Sequence, residues 1–314
     1  MIHAQAPLLR QRGLTLVELL VSMVLMLLVS IATVALFNVS ATSYRTIDAG
    51  QELQDNGRFA LEILGQAARS AGFQDRTGPV SVGNDLADVV FGTGTTAASA
   101  WRLEGANNSR LTTDDTAIAF GTNNGVNLSD ALVVRFFGAS STANATVADG
   151  TMIDCSGRAI PYPGSGADVG VSSFFVQEVN GEPELFCKSY NPATSKFSTT
   201  QIVRGVESFQ VMYGLDTDGD DVPNRWVSAD ANWTPFTASP NWNNVVAIRI
   251  GMVLRGPVGS GQGKSAITTE NDLYPLGKDF TGASTEAGLK LTPADDGRLR
   301  RSVAATFLIR NTVR

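Results

Sequence analysis

Residues 13–18 read Gly-Leu-Thr-Leu-Val-Glu and lead into an apolar run that continues to Phe37. Between Leu14 and Phe37 the only charged side chain is Glu18. At about 1.5 Å per residue, a helix over these roughly 24 residues is about 36 Å long, enough to cross a bilayer core of about 30 Å. A carboxylate inside such a helix costs on the order of 2 to 3 kcal/mol unless it finds a partner. The stretch therefore predicts a membrane-spanning helix, and the cost of its single charge, Glu18, must be offset by some interaction.

This motif resembles the class III leader of type IV pilins and of type II secretion pseudopilins. Arg10 and Arg12 stand just before Gly13, and Thr-Leu-Val-Glu follows one residue later. The resemblance implies that a peptidase on the cytoplasmic face cuts after Gly13 and methylates the new N-terminus, Leu14. Leu14 departs from the Phe or Met that is usual at this position. The resemblance also implies that Glu18 pairs with the N-terminal amine of a neighbouring subunit.

Two other classes of N-terminal segment fit the stretch less well. A secretory signal peptide has a shorter apolar core, no carboxylate, and a small-residue cleavage site at its end. A plain membrane anchor has no reason to keep Glu18. The two leader arginines predict a cytoplasmic N-terminus, with the rest of the chain outside. Removing the 13-residue leader would leave 301 residues with a net charge of −8.

The chain has four predicted parts, which are a leader peptide at 1–13, a transmembrane and assembly helix at 14–38, a continuation of that helix at 39–72, and a β-rich periplasmic or extracellular domain at 73–314. Apolar residues recur near one face over residues 51–71, which indicates a helix packed on a core. Gly57 and Gly65 are expected to weaken or bend this helix, each at about 1 kcal/mol relative to alanine.

The second half of the chain is rich in β-branched and apolar runs. Strands are predicted at 117–121, 131–138, 172–179, 184–190, 201–213, 245–254 and 301–310. Asn180-Gly181 favours a hairpin turn, and Gly205 is interpreted as a bulge within one strand. The predicted class is α+β, with the packed half of the long N-terminal helix against antiparallel sheet. The leader resemblance implies the same pilin-like fold.

Composition excludes several kinds of catalysis. The single histidine, His3, lies in the leader, which removes Ser-His-Asp and Cys-His catalysis and His-ligated zinc from the mature chain. No pair of carboxylates stands out as a catalytic pair. The net charge of −6, without basic runs, argues against sequence-specific nucleic-acid binding. We therefore expect no enzyme activity.

The two cysteines, Cys155 and Cys187, admit two interpretations. In an exported domain the simplest is one disulfide, and the rival is two free thiols. In the chain-entropy account, a bridge closing a loop of roughly 32 residues stabilises the fold by about 3.5 kcal/mol.

The densest group of carboxylates is Asp216, Asp218 and Asp220. Alternating aspartates in a turn place several oxygens around one point, as Ca²⁺ requires. The segment is not an EF-hand, because its twelfth position is Val227 rather than a glutamate. Two interpretations remain, a weaker Ca²⁺ turn and a solvated Asp-Gly turn without metal. Some pseudopilins bind calcium.

The segment Trp226–Trp242 also contains Trp233 and Phe236. It admits two interpretations, an exposed face for a partner or a glycan, and a cover packed over a sheet.

Other parts of the chain resemble minor pilins of the PilW type and the related J-type pseudopilin. They are the segment 56–60 (Asn-Gly-Arg-Phe-Ala), the segment 69–73 (Arg-Ser-Ala-Gly-Phe) and the final strand, which closes in Arg310-Asn311. The resemblance implies a minor pilin that joins a complex priming assembly of the type IV pilus and capping its tip. Roles in twitching motility, adhesion and DNA uptake follow from that.

The implied partners are other minor pilins, the major pilin, the prepilin peptidase, the inner-membrane assembly platform, a tip adhesin and inner-membrane lipid. The implied location is the inner membrane as a single-pass, N-in chain before assembly, and the extracellular pilus afterwards. Two alternatives stay open. One is a J-type minor pseudopilin of a type II secretion system, and the other is a membrane-anchored Ca²⁺- or glycan-binding ectodomain.

Overall fold

The structure is a computed structural model that describes residues 15–75, 101–112, 114–141, 147–163, 169–191, 194–229, 241–261, 272–280 and 287–311. Gly13 and Leu14, as well as Trp233 and Phe236, lie outside these ranges. The chain divides into two compact units, Met1–Asp48 and Ala49–Arg314.

The first element is one α-helix, α1, at Leu16–Ser70. In the first unit its apolar side chains are exposed on all sides. In the second unit an apolar face is buried, as the spacing over 51–71 predicts. The helix ends at a left-handed glycine, Gly72 with φ +69°, the usual conformation for a helix C-cap.

The first sheet contains five antiparallel strands in chain order. They are β1 (Leu103–Ala106), β2 (Ala131–Phe136), β3 (Gly170–Val179), β4 (Glu182–Asn191) and β5 (Lys196–Arg204). The predicted hairpin turn joins β3 to β4, with φ of 53° at Asn180 and 80° at Gly181. Positive φ at both central residues gives the turn the twist that a two-residue hairpin needs.

The second sheet contains four antiparallel strands in the order β7-β6-β8-β9. They are β6 (Val206–Leu215), β7 (Arg225–Val227), β8 (Val245–Arg255) and β9 (Arg300–Leu308). Among the described residues, short 3-10 helices lie outside the sheets at Val126–Leu128, Asn241–Asn244, Lys278–Phe280 and Ala287–Leu289.

Two strand predictions are wrong. The predicted single strand at 201–213 is two strands in different sheets, because Gly205, with φ +74°, turns the chain out of β5 and into β6. The segment 117–121 forms no strand, and only Phe120 makes an isolated bridge, to Leu111. Its apolar side chains instead pack over the outer face of the first sheet.

One main core joins the packed half of α1 to both sheets. Leu53, Leu64 and Ala68 of α1 are buried in the same cluster as Phe174 of β3 and Ile250 of β8. Burying a large apolar side chain contributes about 1.5–3 kcal/mol, which makes this cluster the main source of stability. The α+β class, with a long N-terminal helix and antiparallel sheets, is therefore confirmed.

Candidate functional site

The N-terminal end of α1 is closed by a reciprocal pair of hydrogen bonds. The backbone N–H and the hydroxyl of Thr15 donate to Oε2 of Glu18, at 3.0 and 3.1 Å. In return, the backbone N–H of Glu18 donates to the hydroxyl of Thr15 at 3.3 Å. This is a capping box, in which a threonine and a glutamate three residues later satisfy each other's free donors. Glu18 thus has a role within its own helix.

The helix beyond Glu18 has the composition of a membrane span. Over 18 residues of α1 the mean hydropathy reaches 2.7, and none of these residues is buried. No other helix among the described residues is both long enough and apolar enough to cross a membrane. The serines and threonines in this part donate their hydroxyls to carbonyls one turn back, as Ser30 does to Met26 at 2.8 Å. Their polar groups are therefore satisfied without water.

The packed half of α1 lies against β9. A Cβ added to Gly57 would be 3.0 Å from Cγ1 of Val303, and one added to Gly65 would be 2.5 Å from Cε1 of Phe307. The two glycines thus let the strand approach the helix closely. The helix α1 continues through both glycines without interruption.

The C-terminal end of α1 is closed by the residue pair that follows β9. The side-chain amide of Asn311 donates to the carbonyls of Arg69 and Ala71, at 3.3 and 3.2 Å. Arg102 holds Asn311 in turn, donating from Nη1 to its carbonyl, and also donates from Nη2 to the carbonyl of Val245 at 3.0 Å. Burial lowers the pKa of Arg102 to about 10, while the charge of Asp221 opposes that shift.

A disulfide joins Cys155 to Cys187 of β4, with 6.0 Å between their Cα atoms. It fastens a turn in which Oδ1 of Asp154 accepts from the backbone N–H groups of Ser156 and Arg158, at 2.9 and 3.0 Å. The turn is also held to β3, because the N–H of Cys155 donates to the hydroxyl of Ser172 at 3.0 Å.

The three aspartates after β6 lie close together. One carboxylate oxygen from each of Asp216, Asp218 and Asp220 falls within 4.8 Å of the others. Asp216 is nearly buried and accepts backbone N–H groups from Asp218, Gly219 and Asp221, at 3.2, 2.6 and 2.9 Å. These bonds, that from Gly219 first, lower the pKa of Asp216.

The donor set suits Ca²⁺, which prefers carboxylate oxygens, but Ca²⁺ takes six to eight ligands and three carboxylates supply only part of them. The hydrogen bonds to Asp216 hold the turn together by themselves. Ca²⁺ binding by Asp216, Asp218 and Asp220 therefore stays a prediction.

The two described tryptophans of the segment 226–242 pack over the second sheet. Trp242 is buried and meets Tyr213 edge-on, with ring centroids 5.0 Å apart. Trp226 meets Phe280 in the same way at 5.6 Å. The contacts of these two side chains agree with the second interpretation of this segment, a cover packed over a sheet.

Sequence reasoning missed a closed ring of six alternating charges that ties the two sheets together. Arg255 bridges Glu182 and Glu207, Arg298 bridges Glu182 and Asp296, and Arg300 bridges Glu207 and Asp296. Glu182 belongs to β4 in the first sheet, whereas Glu207, Arg255 and Arg300 belong to the second. Apart from the local contacts of Asp296 with Arg298 and Arg300, the partners are far apart in the chain, so no local pattern could reveal the ring. The capping roles of Thr15 and Asn311 were also missed, although the threonine three residues before Glu18 was a readable signal.

Comparisons with known proteins match both ends of the chain. The family described as type IV pilus-assembly protein W matches residues 173–311, from β3 to Asn311. The prokaryotic N-terminal methylation motif matches residues 8–34, which include Gly13 and Glu18. No curated protein matches the chain.

Among solved structures, a type IV-like pilin from Thermus thermophilus is similar at 15% sequence identity and a TM-score of 0.42, over 83% of this chain and 98% of that one. The two sequence matches cover the start of α1 and the region whose last residue closes its end. The chain is thus similar to the type IV pilus-assembly protein W family over residues 173–311 and to the N-terminal methylation motif over residues 8–34.

Proposed function

We propose that this chain is a minor pilin that joins other minor pilins in a complex that primes type IV pilus assembly and caps its tip. In this proposal a peptidase cuts after Gly13 and methylates Leu14. The chain waits in the inner membrane with its N-terminus in the cytoplasm, and then enters the extracellular pilus with the major pilin. Twitching motility, adhesion and DNA uptake would depend on it, and it would have no enzyme activity of its own.

The observation that carries the proposal is the capping box at the start of an apolar helix. Both hydrogen bonds from Thr15 reach Oε2 of Glu18, which leaves Oε1 able to accept from an amine. Cleavage after Gly13 would create such an amine at Leu14, one residue before Thr15. An ion pair with a neighbour's amine would offset the cost of keeping both charges among apolar helices.

The first experiment is the intact mass and N-terminal peptide of the protein from its own host. A chain that begins at Leu14 and carries one extra methyl group supports the proposal. An intact leader, or a cut after the apolar run, would exclude a pilin and leave an anchored or secreted ectodomain.

A second experiment separates the cap from the charge. Glu18→Gln keeps a side chain that can cap the helix but removes the charge, whereas Thr15→Ala removes the cap partner and keeps the charge. We expect Glu18→Gln to reach the membrane and be processed but to fail in pilus assembly, and Thr15→Ala to retain assembly. Normal assembly by Glu18→Gln would remove the charge-pairing role. Counting surface pili and assaying secretion in a deletion strain would distinguish the pilus from a type II secretion pseudopilus.

A further inference from the structure

In the part of the chain that the structure describes, the two sheets have four edge strands, and these differ in how accessible their outer edges are to another strand. β1 and β7 are short, with four and three residues. β5 is longer, but its pairing with β4 is interrupted by a register shift next to Leu185 and Phe186. β9 has nine residues and pairs with β8 without any shift. Short strands and bulges are devices that protect sheet edges, and β9 has neither.

The hydrogen-bond phase shows which backbone groups of β9 face outward. The N–H of Ile309 donates to the carbonyl of Val246, and the N–H of Gly256 donates to that of Leu299, both at 2.8 Å. Hydrogen-bonded pairs alternate along an antiparallel ladder, so Phe307, Ala305 and Val303 bond β8. The N–H and C=O groups of the four alternate residues point away from β8, namely those of Ser302, Ala304, Thr306 and Leu308.

The side chains of β9 leave this edge accessible. Val303 and Phe307 face α1, where they contact Gly57 and Gly65. The four alternate side chains point to the opposite face and are exposed, and three of them are small. Leu308, the fourth, is 59% exposed. A strand laid along this edge would therefore meet little steric resistance and would cover an exposed apolar side chain.

Two arginines flank the edge. Arg301 and Arg310 are both exposed, and neither makes an ion pair with any residue that the structure describes. The β9 segment of a second copy, residues 300–310, contains no carboxylate, so it would offer these arginines no partner of opposite charge. The charges thus disfavour a second copy and favour an occupant that carries carboxylates at both ends.

We propose that β9 is a docking edge for an extended, acidic segment of a different subunit, which adds to the second sheet as a further strand. The four outward residues supply main-chain hydrogen bonds, and Arg301 and Arg310 select a segment with carboxylates about ten residues apart, roughly 30 Å when extended. The inference rests on the proposed function, because the occupant is a partner in assembly.

The test uses the full chain in detergent micelles and two synthetic peptides of about ten residues. Both alternate valine and threonine, and one has glutamate at each end whereas the other has lysine. We expect the glutamate peptide to bind and to slow amide exchange at Ser302, Ala304, Thr306 and Leu308. We expect the lysine peptide to bind at least about tenfold more weakly. Equal affinity, no binding of the glutamate peptide, or protection elsewhere would overturn the proposal.

Two variants make the test specific. Ala304→Pro removes an outward N–H while sparing the bonds to β8, so it should abolish binding of the glutamate peptide, whereas the control Ala304→Ser should bind it normally. The double variant Arg301→Glu, Arg310→Glu should prefer the lysine peptide, and an unchanged preference would overturn the proposal even if Ala304→Pro failed to fold. If the wild-type chain starts at methylated Leu14 but does not bind the glutamate peptide, only this inference fails and the proposed function stands.

Discussion

Gly65 of α1 lies directly against the ring of Phe307 in β9, so that a Cβ at this position would be only 2.5 Å from Cε1 of the ring. The close approach repeats two turns earlier, between Gly57 and Val303. Glycine is normally unfavourable inside a helix, by about 1 kcal/mol relative to alanine. Here the missing side chains let helix and strand pack without a gap.

Gly65→Ala should therefore destabilise the protein in spite of its better helix propensity. We expect overpacking against Phe307 to lower the free energy of unfolding by about 1–3 kcal/mol, measured by denaturant titration of the full chain in detergent. Gly50→Ala is the matched control, because the nearest atom to its Cβ would be 3.8 Å away. That control should be as stable as the wild type or up to about 1 kcal/mol more stable. A Gly65→Ala chain as stable as Gly50→Ala would contradict the packing argument.

The ring of charges predicts a loss of stability in acid. The hydrogen bond from Arg298 holds the pKa of Glu182 below its ordinary value, and that from Arg300 does the same for Asp296. A carboxyl with a lowered folded pKa stabilises the fold above its unfolded pKa of about 4, and this contribution is lost as the pH falls through the folded pKa. Unfolding curves between neutral and strongly acidic pH should show this slope. Glu182→Gln should make the slope shallower, and an unchanged slope would remove Glu182 as its source.

Asn311 should contribute more to the free energy of unfolding than its position near the end of the described chain suggests. Asn311→Ala removes both donors to the end of α1, which we expect to cost about 1–2 kcal/mol of unfolding free energy. Asn311→Asp should cost more, because it replaces donors by a charge at the negative end of the helix dipole. Arg310→Ala, at an exposed position, should lie within about 0.5 kcal/mol of the wild type. Equal stability of the Asn311 and Arg310 variants would show that the cap contributes nothing.

The aspartate turn should depend mainly on Asp216. Because Asp216 accepts three backbone N–H groups, we expect Asp216→Ala to lower the thermal midpoint clearly and Asp218→Ala to change it little. Adding millimolar Ca²⁺ tests the metal interpretation directly. A rise in the midpoint that disappears in Asp218→Ala would establish Ca²⁺ binding, whereas equal midpoints with Ca²⁺ and with chelator would leave a metal-free turn.

Replacing both Cys155 and Cys187 by serine should release a loop of 32 residues in the unfolded chain. The chain-entropy account predicts a loss of about 3.5 kcal/mol in unfolding free energy. Reduction of the wild-type protein should reproduce that loss, and the double variant should be insensitive to reductant. A wild type whose stability ignores reductant would contradict this role for the disulfide.

The sequence predicted the local features well. The apolar run after Glu18, the buried face of α1 and the Asn180-Gly181 turn each depend on neighbouring residues, and the structure shows all three. One of the two wrong strand predictions came where a single residue fitted two interpretations. Gly205 was compatible with a bulge or with a change of sheet, and only the contacts of β5 and β6 with different partners decide between them.

Of the candidate site, only the residues in the first turn of α1 could be predicted from the sequence. Glu18 was identified from its place in an apolar helix, and its partner Thr15 could have been found from the same four residues. In contrast, Asn311 contacts α1 across more than two hundred residues of sequence, and the arginine ring joins four strands. Such pairings depend on the topology of the chain, so the spacing of neighbouring residues in the sequence does not predict them.

The contact between β9 and α1 also means that, during synthesis, α1 is made long before the strand that packs on it. α1 leaves the ribosome first, yet the strand that covers Gly57 and Gly65, and the amide that closes the helix end, emerge after all the other strands. Contacts between such distant parts of a chain form late in folding. In a nascent chain that stalls before residue 300, the part of α1 around Gly57 and Gly65 would therefore stay uncovered, and proteases and chaperones can recognise such a surface. Quality control could in this way separate complete subunits from truncated ones before any of them is assembled.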